Sequence, residues 1–155
     1  MSAAIDGAVR SDLALAVAVL RGGDASFVLV ARGRVLAQGR RPGVLPLVAA
    51  VKALRAREQR ATALADRVLG RAALFAAVAV GVRAAHGDVV SRAAADEARA
   101  RGVVLSWEVL VPAILNRHGT GGCPFEAAVA GCREPLEALR LLHATAMSMQ
   151  KGVRP

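Results

Sequence analysis

The sequence predicts a single α/β domain in which helices cover both faces of a mixed, mostly parallel sheet. Its 155 residues, 1–155, suit one domain, and no internal repeat or linker divides them. Hydrophobic residues make up 55% of the chain and charged residues 21%, which excludes bulk disorder. After an opening helix and hairpin, helical and strand-like segments alternate along the chain. That order is typical of parallel strands connected by helices.

The first predicted element is a helix over Ala8–Arg21. Ser11 or Asp12 is placed to cap its start, and Gly22-Gly23 would end it. Because the segment is apolar nearly all round, we expect this helix to be largely buried.

A β-hairpin and a surface helix follow. The β-rich runs 26–31 and 34–38 are separated by the turn residues Arg32-Gly33, which predicts the hairpin. Pro42-Gly43 breaks the chain. The segment Leu45–Arg57 then carries apolar residues at the i, i+1, i+4, i+7 spacing of a surface helix.

The second half of the chain alternates between helices and strands. A short apolar stretch ends at Ala65, and Asp66 is placed to cap the next helix. In order, we predict a helix over 68–80, strand 82–90, helix 92–101, strand 103–109, a short helical turn over 112–117, helix 124–130 and a final amphipathic helix over 135–150. The aromatic residues are spaced like core residues: Phe27, Phe75, Trp107 and Phe125.

The strongly basic composition raises the question of nucleic-acid binding. The formal charge is +9, and all but two of the 21 basic residues, Lys52 and Lys151, are arginine. A GC-rich genome produces the same Arg-rich, Lys-poor usage. Most arginines fall at predicted helix ends and polar faces, and no aromatic platform for stacking bases accompanies them. We therefore interpret the charge as a solvated surface that favours anionic ligands, and keep nucleic-acid binding as an alternative.

The cysteine, histidine and hydropathy patterns argue against a disulfide-rich, a membrane-spanning or a zinc-binding protein. Cys123 and Cys132 indicate reduced thiols rather than a disulfide framework, and no apolar run approaches the roughly 20 residues of a membrane span. We expect a cytoplasmic protein without a membrane partner. His86 and His143 fit ordinary, partly buried histidines. No recognisable zinc spacing is present, so we predict neither a metal nor a cofactor.

The segment from Asn116 to Glu126 carries the first candidate site. Its glycines permit a tight backbone path, Pro124 favours the first turn of a helix, and Glu126 fits a capping box. Cys123 would then be the N-cap, an environment that favours the thiolate. The ligand-binding candidates here are Asn116, Arg117, Gly119, Thr120, Gly121, Gly122 and Cys123. As an enzyme site, Cys123 would be the nucleophile, His118 the base and Asn116 its orienter, with Asp66 also in proton transfer.

The alternative interpretation of this segment is structural. A glycine-rich connection can enter a helix with a half-buried cysteine as its cap and bind nothing.

The second candidate site is the junction at Asp66, Gly70 and Arg71. Gly70 early in a helix costs about 1 kcal/mol relative to alanine, which suggests that something approaches its backbone closely. That neighbour is either a ligand or the packed sheet. Asp66 is either a ligand-contacting acid or a helix cap.

Together with the opening helix and hairpin, these two segments resemble a family of uncharacterised small bacterial and archaeal proteins that is grouped with the cytidine deaminase-like superfamily. The resemblance rests on 65–73 (ADRVLGRAA) and 111–126 (VPAILNRHGTGGCPFE) and covers nearly the whole chain. It implies a three-layer α/β/α sandwich. It also implies that the ligand site lies at two helix starts, with Asp66, Gly70 and Arg71 as candidates.

The chain departs from the catalytic pattern of those deaminases. They hold zinc with a His or Cys at one helix start and a Cys pair at the next, whereas this chain carries Asp66-Arg67 and Ser91-Arg92-Ala93 there. Zinc-dependent deamination is therefore not predicted. The leading hypothesis is a protein that binds a small polar or anionic, nucleobase- or nucleotide-like molecule. The alternatives are a Cys123-dependent enzyme of thiol transfer or hydrolysis, and an inactive interaction module or homodimer.

Overall fold

The computed structural model describes residues 6–152, which form one five-stranded sheet with helices on both faces. The helices are α1 (Gly7–Arg21), α2 (Leu45–Ala56), α3 (Arg71–Ala79), α4 (Arg92–Arg101), α5 (Pro124–Val129) and α6 (Pro135–Gly152). The strands are β1 (Phe27–Ala31), β2 (Arg34–Gly39), β3 (Ala63–Leu69), β4 (Ala84–Ser91) and β5 (Val104–Val111). This architecture is a three-layer α/β/α sandwich.

The sheet order is β2-β1-β3-β4-β5. Strand β1 pairs antiparallel with both β2 and β3, while β3, β4 and β5 are parallel. The sheet is mixed and mostly parallel, as predicted, because four of its five strands, β2, β3, β4 and β5, run in one direction and β1 runs against them. Both antiparallel pairings involve β1, through which the hairpin is joined to the parallel strands.

Two hydrophobic cores lie on opposite faces of the sheet. Alternate residues of one strand divide between them: Leu64 of β3 belongs to the larger core with α2, α3, α4 and α6, whereas Ala65 belongs to the smaller core with α1. Helix α1 is therefore alone on its face. It buries a single stripe, Val9, Asp12, Ala16 and Leu20, and not its whole circumference as the sequence suggested.

The hairpin turn is held by Asp12. Arg32 and Gly33 both adopt positive φ, at 53° and 72°, and their amides donate to the Asp12 carboxylate at 3.0 and 2.8 Å. The Thr62 hydroxyl donates to the same carboxylate at 2.5 Å. The predicted cap of α1 at Ser11 or Asp12 was wrong, because Asp6 accepts from the Val9 amide and caps the helix instead.

Several predicted boundaries also shift. Strand β3 continues through Asp66, and α3 begins only at Arg71 with Gly70 as its N-cap, so Asp66 is a strand residue and not a helix cap. The predicted helical turn over 112–117 is irregular instead. Trp107, expected in the core, is 40% exposed, because β5 is an edge strand.

No helix within residues 6–152 has both the length and the apolar character needed to cross a bilayer.

Candidate functional site

The two candidate segments meet at the start of α3. The carboxylate of Glu126, in the first turn of α5, accepts from the amide of Arg71 at 2.8 Å and from that of Ala72 at 2.7 Å. These amides are among those that a helix start leaves unpaired. Glu126 was expected to close a capping box on its own helix, but it caps α3 instead.

Gly70 is required by this contact. A Cβ atom on Gly70 would lie 2.5 Å from Oε1 of Glu126 and 2.6 Å from its carboxyl carbon. The sequence indicated that something approaches the backbone here and offered a ligand or the packed sheet. The neighbour in the structure is the Glu126 carboxylate.

Arg71 fastens the other end of α5. Its guanidinium donates to the carbonyl oxygens of Val129, Ala130 and Cys132, and pairs with Glu97 at 2.9 Å. The side chain is only 20% exposed. These bonds occupy the guanidinium within the protein, so Arg71 connects α3 with α5. This arrangement conflicts with its predicted role as a ligand-binding residue.

The loop that precedes α5 is organised by Asn116. Its Oδ1 accepts from the amides of His118 and Thr120, each at 3.1 Å, and its Nδ2 lies 3.1 Å from the Thr120 hydroxyl. The Asn116 amide in turn donates to the Gly121 carbonyl at 2.8 Å. Gly119 takes a positive φ of 70°. Asn116 therefore fixes the loop backbone, and its bonds do not orient the His118 ring.

Cys123 is the N-cap residue of α5, as predicted, but its thiol makes no capping bond. The residue is partly exposed, and its amide donates to the Ile114 carbonyl at 3.1 Å. Arg117 and His118 are exposed, and their side chains make no hydrogen bond to other residues of the 6–152 segment. Three chemically active side chains are thus displayed by one fixed loop.

Within the described chain, Asp66 makes no hydrogen bond to this loop. Burial in β3 raises the pKa of its carboxyl to about 8, although the Val68 and Arg67 amides donate to it, and nearby Asp88 raises the pKa further. The Val68 bond is long, at 3.3 Å. None of these neighbours belongs to the 116–123 loop. Within the described chain, no hydrogen bond joins Asp66, His118 and Cys123 into the proton-transfer arrangement that the sequence suggested.

The zinc site of cytidine deaminases does not fit these helix starts. At α3 the amides are occupied by Glu126, and the Arg71 side chain turns to α5. At α4 the N-cap is Ser91, whose hydroxyl accepts from the Ala94 amide at 3.1 Å. Neither start offers a thiol or an imidazole.

A second polar cluster, which the sequence did not reveal, lies on β4 and β5. His86, Asp88 and Glu108 each offer a donor atom, and these atoms lie within 4.8 Å of one another. His86-Gly87-Asp88 is a local signal, because alternate strand residues share a face. Glu108, however, is brought there by the pairing of β4 with β5.

An open depression of about 710 Å³ lies elsewhere, between the end of α1 and strand β2. Its lining includes Gly23, Asp24, Gln38 and Arg40. None of the predicted site residues contributes to it.

Comparison with known proteins shows the family and the fold. The crystal structure of a DUF1893 family protein (TM1506) from Thermotoga maritima is 21% identical in sequence and covers 93% of this chain and 94% of that chain, with a TM-score of 0.77. No curated protein matches the chain. Residues 15–145 match the TM1506 domain of unknown function (DUF1893), and the chain belongs to this family.

Proposed function

We propose that this protein binds a small polar or anionic molecule on the exposed face of the 116–123 loop. The observation that carries the proposal is the pairing of a fixed backbone with free side chains. The Asn116 side chain makes three hydrogen bonds within the loop, while the side chains of Arg117 and His118 project without partners among the described residues. A loop that is already ordered loses less conformational entropy when a ligand binds.

The ligand contacts Arg117, His118 and the partly exposed Cys123. The amides at the start of α3 are already bonded to Glu126, so the ligand binds outside them. Gly70 and Arg71 act indirectly, because they hold Glu126 and the end of α5 and thereby the carboxyl end of the loop. Asp66 is not a contact in this proposal.

More specifically, we propose that the ligand is nucleotide-like. We also propose that the fold belongs among the cytidine deaminase-like proteins. Helices α3 and α4 begin directly after the neighbouring parallel strands β3 and β4. Ligands of α/β proteins commonly bind beyond the carboxyl ends of such strands. Shared fold does not fix function, so the ligand class needs a direct test.

The test uses the full chain and two probes, inorganic phosphate and a nucleoside monophosphate, at about 50 mM salt, where electrostatic contacts remain strong. Amide chemical shifts should change for the loop around Arg117 and His118. The Arg117→Gln and His118→Gln variants should each weaken binding at least about fivefold, the effect of losing one charge-assisted contact. Arg57→Gln, a change of an exposed arginine at the end of α2, is the matched control.

Equal losses in Arg117→Gln and Arg57→Gln would show attraction to overall charge and contradict a site at the loop. Binding of arbitrary duplex DNA that falls steeply with salt would instead favour the nucleic-acid alternative. We do not extend the proposal to thiol catalysis, because no hydrogen bond in the described chain connects the Cys123 thiol with His118.

An interaction module is the second candidate, and the edge strand β5 favours it. Trp107 is 40% exposed and Val109 53% exposed on a strand with one unpaired edge. Apolar residues on a free edge are features of association surfaces. If the protein is a homodimer through β5, light scattering will give twice the chain mass and Val109→Glu will give a monomer. A monomer at all concentrations would contradict this candidate.

A further inference from the structure

We infer that His86, Asp88 and Glu108 form a binding site for a divalent transition-metal ion on the face of the sheet that α1 only partly covers. The inference is independent of the ligand proposed for the 116–123 loop. It rests on an unpartnered buried nitrogen, on the identity of the donors around it, and on the groups that orient them.

The buried nitrogen is Nε2 of His86. The His86 side chain is 7% exposed, and Nε2 makes no hydrogen bond within the described part of the chain. Burial of a polar atom without a partner is unfavourable. Oδ1 of Asp88 lies 3.5 Å from this nitrogen, which is too long for a good hydrogen bond. A metal ion between the two atoms would satisfy both.

The other ring nitrogen is already oriented. Nδ1 of His86 lies 2.8 Å from the Ser106 hydroxyl, its neighbour on β5. If Nδ1 carries the proton and donates to Ser106, the lone pair of Nε2 points toward the carboxylates. Metal-bound histidines usually have such an orienting partner on the second nitrogen.

The carboxylates are held at the right separation. The three donor atoms lie within 4.8 Å of one another, and ligands of one zinc ion each lie about 2.0–2.2 Å from it, so modest side-chain movement suffices. Arg67 donates to Oδ2 of Asp88 at 3.1 Å and to the carbonyls of Leu20, Gly23 and Ala25. Because Arg67 is fixed by these carbonyls, it holds Asp88 with Oδ1 toward His86.

Glu108 becomes the third ligand when the metal ion replaces its present partner, Arg21. It pairs with Arg21 at 2.7 Å, and both side chains are more than half exposed. Exposed ion pairs contribute little free energy, so the ion can displace Arg21. One imidazole with two carboxylates suits Zn²⁺, Mn²⁺ or Fe²⁺. Three protein ligands with a fourth position open to solvent are the arrangement of catalytic rather than structural zinc.

The test titrates the full chain, first stripped of metal by a chelator, with Zn²⁺ by calorimetry and with Co²⁺ by absorption. We expect one ion per chain and a Co²⁺ spectrum without sulfur-to-metal charge transfer. His86→Gln and Glu108→Gln should each weaken Zn²⁺ binding at least about tenfold, and Ser106→Ala by about tenfold through the ring orientation. The controls are His143→Gln and Asp24→Asn, exposed residues outside the cluster, which should leave the affinity unchanged.

A Zn²⁺ affinity that Glu108→Gln leaves unchanged would overturn the inference. So would a sulfur charge-transfer band, which would assign the ion to a cysteine. Glu108 is 55% exposed, so this variant folds even if the buried His86 position does not tolerate glutamine, and it decides the question alone.

Discussion

Glu126 occupies the space that any side chain at Gly70 would need. The two residues are far apart in the sequence, yet a Cβ atom at Gly70 would lie 2.5 Å from Oε1 of Glu126. The carboxylate uses this gap to reach two amides at the start of α3. One glycine thus allows α5 to be joined to the central helix of the larger core.

Gly70→Ala should destabilise the fold by about 1–3 kcal/mol, because the new methyl group displaces the Glu126 carboxylate and leaves the Arg71 and Ala72 amides without their acceptor. Urea unfolding measures the change. Gly131→Ala is the matched control, since nothing lies within 4 Å of a Cβ there. The double variant Gly70→Ala, Glu126→Ala should lose less free energy of unfolding than the sum of the losses in the two single variants. Strict additivity would contradict the contact.

Asp66→Asn should remove a pH dependence of stability. Burial raises the pKa of the folded carboxyl to about 8 from 3.8, so the folded state retains a proton that the unfolded state releases. This residue's contribution to stability is complete below pH 3.8 and declines as pH rises toward about 8. Asparagine has no proton to lose. In urea unfolding between about pH 5 and 8, the variant should decline less than the wild type.

A steeper decline in Asp66→Asn than in the wild type would contradict this assignment. Asp24→Asn, at an exposed carboxyl, serves as the control and should follow the wild type.

Asp12→Asn should act in the opposite pH direction. Burial raises the pKa of Asp12, but the hydrogen bonds from Thr62, Gly33 and Arg32 outweigh it, and the pKa lies below 3.8. Its contribution to stability is therefore present above pH 3.8 and is lost as pH falls through the folded-state value. At neutral pH the variant should lose about 1.5–3 kcal/mol in urea unfolding, because an amide oxygen replaces a charged acceptor. Near pH 3 the difference from wild type should shrink; a constant difference would argue against the lowered pKa.

The N-caps of α4 and α5 should respond differently to truncation. Ser91→Ala removes the bond from the Ala94 amide and should cost about 1 kcal/mol. Cys123→Ala removes no capping bond and should change the free energy of unfolding by less than about 0.5 kcal/mol. Thermal unfolding of the two variants side by side checks this. A loss at Cys123 as large as that at Ser91 would indicate an interaction of the thiol beyond those described.

The local patterns predicted most elements well. The hairpin, α2, α4 and α6 lie close to their expected ranges because their periodicity, turn residues and glycine stops are properties of neighbouring residues. The start of α3 was misplaced because the apolar run through β3 into the helix has no polar break at Leu69. Asp66, which looked like that break, is a buried residue within the strand.

The local structure of the candidate site was predicted in part. The two motifs were identified, and Cys123 is the N-cap residue of α5. The partners were not, because the contact between Glu126 and Arg71 spans 55 residues and follows from the packing of α5 against α3. Neither segment carries a sequence pattern that would predict this contact.

The sequence by itself determined the α/β class, the hairpin and the start of α5 after its glycine-rich loop, since these depend on backbone preferences and the spacing of apolar residues. Only the tertiary structure decided where α3 begins and which side chains meet there. It placed Glu126 on α3, left Asp66 without a hydrogen bond to the described 116–123 loop, and joined His86 and Asp88 with Glu108 across parallel strands. The physical reason is that strand register and helix docking are set by the burial of whole faces, which local sequence does not encode.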